Sequence, residues 1–91
     1  MEEKFLAAVA AAQQKALALG VRIRPVPDMK AAHRVLSSHR ESDGFYQLVQ
    51  LGRTELTLEA LAVKKEFTGL FSDEQANNAL NRLLDAGYTF R

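Results

Sequence analysis

The side chains with the most direct capacity for chemistry are His33 and His39, four serines (Ser37, Ser38, Ser42, Ser72), and the acidic groups Glu41/Asp43 and Asp73/Glu74. The two histidines stand six residues apart, which turns them to different faces of a helix. Helical metal ligands stand at i and i+4, so no metal site is expected, and both rings are read as surface groups beside arginines. No serine sits in a Gly-x-Ser-x-Gly elbow, and all four fall where helix ends and turns favour a hydroxyl. The carboxylates also fall at expected helix starts and turns, where they complement the positive end of a helix dipole rather than pair as acid and base. The absence of cysteine removes disulfides, thiolate nucleophiles and cysteine-ligated zinc or iron-sulfur clusters. The glycines are isolated, so no Gly-rich loop can cradle a phosphate. With no nucleophile, base and oxyanion site in view, the chain reads as non-enzymatic and without a cofactor.

Charge is the remaining polar signal. The net charge of the 91 residues is +1, too near neutral for attraction of the whole molecule to nucleic acid or anionic lipid. Its distribution is uneven. Residues 22–40 carry Arg22, Arg24, Lys30, Arg34 and Arg40 against Asp28 alone, whereas residues 41–91 hold five basic and eight acidic side chains. Such a segment either meets phosphates or an acidic protein surface, or forms a solvated face. Phe45, Tyr46, Phe67, Leu70 and Phe71 are the second candidate set. They are more apolar surface than short helices must expose, and so either line a partner groove or pack the core.

The elements that position these residues are marked by caps and periodicity. Glu2 to Leu19 is a continuous helix with Gly20 as its C-terminal cap. Phe5, Leu6, Val9, Ala12, Ala16, Leu17 and Leu19 share its apolar side. Ala7, Ala11 and Ala18 on the other side would allow a close helix approach in a homodimer, or are simply good exposed helix formers. Val21 to Arg24 alternates apolar and basic and is ended by Pro25, which predicts an edge strand or an extended connector. Asp28 caps a second helix to Ser38, with Met29, Ala32, Val35 and Leu36 inward. Ser42 or Asp43 is expected to cap the next element. Phe45 to Leu51 reads as a helix, with a strand as the alternative. Thr57 begins a helix to about Phe67, and Ser72 opens the last helix with a Ser-x-x-Gln capping box. Gly87 is placed to end it and to fold Tyr88 back against Leu83.

The segment Leu56-Thr57-Leu58-Glu59-Ala60-Leu61-Ala62, the turn at Thr68 to Phe71, and Ala79-Leu80-Asn81-Arg82-Leu83-Leu84-Asp85-Ala86-Gly87-Tyr88 together resemble the cadence of winged-helix domains over residues 56–91. That resemblance implies a positioning helix, a recognition helix and a wing strand. It would make Gln75, Asn77, Asn78 and Asn81 candidates for reading base edges, or for a polar interface face.

The expectation is therefore one mainly α domain over residues 1–91, four to five helices with a two-stranded ribbon between residues 21–24 and 88–90. Ala16-Leu17-Ala18 looks like a small-x-small cleavage site. However, Glu2, Glu3 and the polar break Gln13-Gln14-Lys15 do not fit a signal peptide or membrane span, so a cytoplasmic location is expected. The leading functional expectation is a small regulatory protein that docks on another protein, with a homodimer as one form. The alternative is a DNA-binding regulator using residues 22–40 and the last helix.

Overall fold

In the computed structural model, which describes residues 2–38 and 40–87, the first helix, α1, runs Glu2–Ala18. Its 17 residues reach about 25 Å at 1.5 Å per residue, the full width of a domain measuring 30 × 26 × 25 Å. Phe5, Val9, Ala12 and Ala16 are its buried stripe. Leu17 and Leu19, expected on that stripe, are 61% and 42% exposed instead. The cap explains the difference. Gly20 takes φ 87, Val21 N–H donates to the Ala16 carbonyl at 2.9 Å, and Gly20 N–H donates to that of Leu17 at 2.9 Å. This Schellman geometry puts Val21 into the core under the last turn, where Leu17 or Leu19 would otherwise sit.

Residues 21–27 form an extended connector and not a strand. Pro25 and Pro27 supply no N–H, and side chains satisfy the backbone groups of Arg24. Asp43 Oδ2 accepts from Arg24 N–H at 2.9 Å, and Gln13 Nε2 donates to the Arg24 carbonyl at 3.1 Å. With both backbone groups of Arg24 met in this way, that residue needs no ladder partner. The other half of the expected ribbon, residues 88–90, lies outside the described residues, as does the expected contact of Tyr88 with Leu83.

Helix α2, Met29–Ser37, begins where Asp28 accepts the Ala31 N–H and buries Met29, Ala32 and Leu36. Residues 45–50 form a helix, α3, Phe45–Gln50. Its N-cap is Gly44, with no side-chain cap, so neither Ser42 nor Asp43 has the capping role expected of it. A 3-10 turn, Thr54–Leu56, leads to α4, Leu58–Ala62, capped by Thr57 through Ala60 N–H at 3.1 Å. The helix expected to reach Phe67 stops at Ala62, and a second 3-10 segment covers Lys65–Leu70. Tertiary packing overrides helix propensity there. Phe67 and Phe71 both meet Phe5 edge-on, at centroid distances of 5.2 and 5.1 Å, the arrangement that the ring quadrupole favours. Helix α5, Asp73–Asp85, opens on the predicted capping box from Ser72 to Gln75.

All five residues of α4 are buried, which makes it the axis of the domain. Leu58, Leu61 and Ala62 belong to the main core with Phe5, Val9, Leu36 and Leu48. Ala60 faces a smaller cluster with Phe45 and Leu83. α5 lies against α4 and α2, and α1 lies against α4 and the Thr54–Leu56 turn.

Gly44 combines two constraints. Its φ is 75, and a Cβ there would stand 2.9 Å from both Ile23 Cγ1 and Val21 Cγ1. Gly20 has a similar φ but open space around it. Gly44→Ala is therefore expected to lower unfolding stability by roughly 2–4 kcal/mol, and Gly20→Ala by about 1 kcal/mol. Urea denaturation measures both, and equal losses would mean that the close approach of residues 21–23 carries no energy.

Candidate functional site

A helix buried on every side has no room for an unpartnered charge, yet α4 carries Glu59, which is 0% exposed. Its carboxylate is met from two directions. Ser42 donates its backbone N–H at 2.7 Å and its hydroxyl to the two oxygens, and Arg82 of α5 donates Nη1 at 3.2 Å. The same guanidinium also donates to the carbonyls of Val35 and Ser38, where the negative end of α2 favours a cation. No buried side-chain nitrogen or oxygen among the described residues lacks a partner.

Arg82 belongs to a polar row on α5 with Gln75 and Asn78, spaced i, i+3, i+7. Asn78 Nδ2 donates to the Leu36 carbonyl at 2.9 Å. Gln75 Nε2 donates to Ser37 Oγ at 2.9 Å. Its Oε1 accepts from Ser72 N–H at 3.0 Å and lies 2.7 Å from His33 Nδ1. An amide oxygen only accepts, so Nδ1 is the donor in this contact. His33 is thus half-buried against Phe71, with ring centroids 5.2 Å apart, and not the surface group that its sequence neighbours suggest. His39 lies outside the described residues.

In front of this framework lies a cleft of about 1030 Å³. It is lined by the connector around Arg24, the α2 face bearing Arg34, the loop residues Ser38 and Arg40 to Gly44 leading into α3, and the nearly buried Val9, Leu56, Leu58 and Leu61. The loop is held from behind. Ser42 is tied to Glu59, Asp43 to Arg24 N–H, and the Ser38 hydroxyl donates to the Val35 carbonyl at 2.8 Å, lying 3.1 Å from that of Arg40. At the rim, the Tyr46 hydroxyl donates to Glu41 Oε2 at 2.7 Å. That bond holds the Glu41 carboxyl below its ordinary value, helped by its own backbone and by Arg82. It also raises the Tyr46 phenol above its ordinary value, reinforced by partial desolvation and by the charges of Glu41 and Asp85.

The cleft brings together three of the five basic residues singled out from the sequence, Arg24, Arg34 and Arg40, and Arg22 and Lys30 stand outside its lining. All five are exposed. Of the apolar set, Tyr46 is 62% exposed at the rim and Leu70 is half-buried. Phe45, Phe67 and Phe71 are buried core residues, so these three do not supply exposed partner-binding surface. Their rings complete the two apolar clusters, which a domain this small needs for its core. Gln75 and Asn78, candidates for base reading, are spent on α2. Ala7, Ala11 and Ala18 are exposed on α1.

Sequence reasoning missed Glu59 and Arg82, and gave Ser42 only a capping role. The available signals were a lone acid in the apolar run Leu56 to Val63 and the i, i+3, i+7 spacing of Gln75, Asn78 and Arg82. Among the described residues no group of three His, Cys, Asp or Glu converges as a metal site, and no helix is long and apolar enough to cross a membrane. No protein-family model, curated protein or solved structure matches the chain.

The buried network and the rim bond each give a testable outcome. Arg82→Leu strands a buried carboxylate and is expected to cost about 3–5 kcal/mol in denaturant unfolding, whereas the double variant Glu59→Leu/Arg82→Leu recovers most of that loss. No recovery in the double variant would show that packing, and not charge pairing, sets the cost. For the rim bond, the depressed Glu41 pKa contributes stability present above its ordinary 4.5 and lost as pH falls through the folded value. The raised Tyr46 pKa contributes stability present below 10.0 and lost as pH rises through the folded value. The titration midpoint of Glu41, followed by NMR of its carboxyl resonance, should move back toward 4.5 in Tyr46→Phe, and unchanged titration would exclude the bond in solution.

Proposed function

We propose that this domain is a small non-enzymatic docking module that regulates another protein by binding it through the cleft between residues 21–27, α2 and the start of α3. The observation that carries this reading is a cleft of about 1030 Å³ with a rim whose backbone is anchored to a buried ion pair. A pre-ordered surface loses little entropy when a partner binds, which is how a modest interface gains affinity. Glu41 and Asp43, the carboxylates of the rim, already accept hydrogen bonds from within the chain. They serve structure better than proton transfer. The rim arginines also favour a DNA-binding reading, but the last helix, which that reading would place in a groove, turns Gln75, Asn78 and Arg82 onto α2. Docking on protein is therefore preferred, and a cysteine-free chain suits the reducing cytoplasm in which we place it.

A photo-activatable phenylalanine analogue at Tyr46 tests the reading in the native cell, with the same analogue at the exposed Ala11 of α1, outside the cleft, as control. The expected result is a protein adduct at position 46 and none at position 11. Equal labelling at both positions, or none at position 46, defeats the assignment of the cleft.

A further inference from the structure

We infer that Asp43–Gly44 is a site of spontaneous covalent modification, where the chain closes to a succinimide and reopens as isoaspartate, and that the bonds from Ser42 to Glu59 restrain it. Asp43 is the one Asp or Asn in the sequence that precedes glycine, whose amide nitrogen has no side chain beside it to obstruct attack. Asp43 is exposed, and the Gly44 N–H donates to no group among the described residues. No partner is needed. The Gly44 nitrogen attacks Cγ of the protonated Asp43 carboxyl; a C–N bond forms, the Cγ–O bond breaks, and the hydroxyl leaves with the amide proton as water. Water then opens the ring. Addition at Cγ restores aspartate, whereas addition at the main-chain carbonyl leaves the chain running through Cβ and Cγ and frees that carbonyl as a carboxylate.

The fold holds this reaction in check. Phe45 N–H donates to the Ser42 carbonyl at 3.1 Å, Gly44 has φ 75 and ψ 3, and no described residue other than glycine has positive φ. These values define a type II turn with Asp43 in its second position, where ψ is about +120°. That angle turns the Asp43 carbonyl oxygen, and not the Gly44 nitrogen, toward Cβ, so ring closure requires the peptide plane to rotate. Three contacts resist the rotation besides the turn bond. Asp43 Oδ2 accepts the Arg24 N–H at 2.9 Å, Ser42 is bonded to Glu59 through its N–H and hydroxyl, and Val21 and Ile23 pack where a Cβ of Gly44 would lie. The reaction therefore proceeds from an opened loop, and its rate follows the population of that opening. Isoaspartate lengthens the main chain by one carbon and shortens the side chain by one, so Arg24 N–H loses its acceptor and the cleft rim loses its shape.

The test is ageing of the full chain in neutral to mildly acidic buffer, followed by peptide mapping that separates aspartate, succinimide and isoaspartate at Asp28, Asp43, Asp73 and Asp85. Four samples are compared: the native chain, the native chain in urea below its unfolding midpoint, Ser42→Ala, and the urea-unfolded chain. The expected product is isoaspartate at position 43 and not at the other three, fastest in the unfolded chain and slowest in the native one. Ser42→Ala, shown to be folded by circular dichroism, should react roughly tenfold faster than the parent, because it loses a hydroxyl bond to a charged group and opens more often. Across the urea series, hydrogen exchange of the Ser42 N–H should rise in step with product formation, which reads the anchor without any substitution. No product at 43 in the unfolded chain, or product there no faster than at Asp28, Asp73 and Asp85, overturns the modification site. Equal rates in native and unfolded chains overturn the restraint by the fold. A folded Ser42→Ala that reacts at the parental rate, or Ser42 exchange that does not follow product formation in urea, overturns the role of the Glu59 anchor.

Discussion

Glu59 is a carboxylate placed at the centre of a helix that is buried on every side, and the domain is organised around satisfying it. Desolvating such a charge costs several kcal/mol, so it is tolerated only with an opposite charge and further hydrogen bonds in place. Arg82 and Ser42 supply them. Because Arg82 also holds the carbonyls at the end of α2, one side chain ties α5, α4 and α2 together. Apolar packing alone would allow these helices to slide by fractions of a turn; a forked donor bonded to three acceptors does not.

The consequence reaches the surface through Ser42. That residue belongs to the loop between α2 and α3, and its two bonds to Glu59 fix the loop's height over the core. Asp43 then pins Arg24, and Gly44 lets Val21 and Ile23 close against the backbone. The cleft is thus shaped from behind by a charge it does not expose. At the other end of the main core, Phe5 performs the corresponding task with apolar contacts, holding Phe67 and Phe71 by ring edges.

Polar residues on α5 show how the same side chains serve two incompatible purposes. Gln75, Asn78 and Arg82 have the chemistry of a recognition helix, and in isolation their spacing would suit a groove. Packed here, they bond backbone carbonyls and side chains of α2, which leaves them partly buried and makes the α2–α5 contact directional.

Local chemistry was legible from the sequence wherever a few neighbouring residues decide the outcome. Asp28, Thr57 and Ser72 cap their helices as their hydroxyl and carboxylate chemistry demands, Gly20 ends α1, and the apolar periodicity of α2 names its buried face. These are short-range hydrogen bonds and steric preferences, complete within one turn of chain. Tertiary structure alone decided the rest. It stopped α4 at Ala62 so that Phe67 and Phe71 could both reach Phe5, and it met the backbone groups of Arg24 with Gln13 and Asp43 in place of a ladder partner. It also separated the five basic residues into three that face a cleft and two that do not, and turned Glu59 from an ordinary helix residue into the charge on which the core depends. Each of those outcomes depends on groups far apart in the chain, 17 residues between Ser42 and Glu59 and 23 between Glu59 and Arg82, and no local preference encodes which distant partner will satisfy a buried charge.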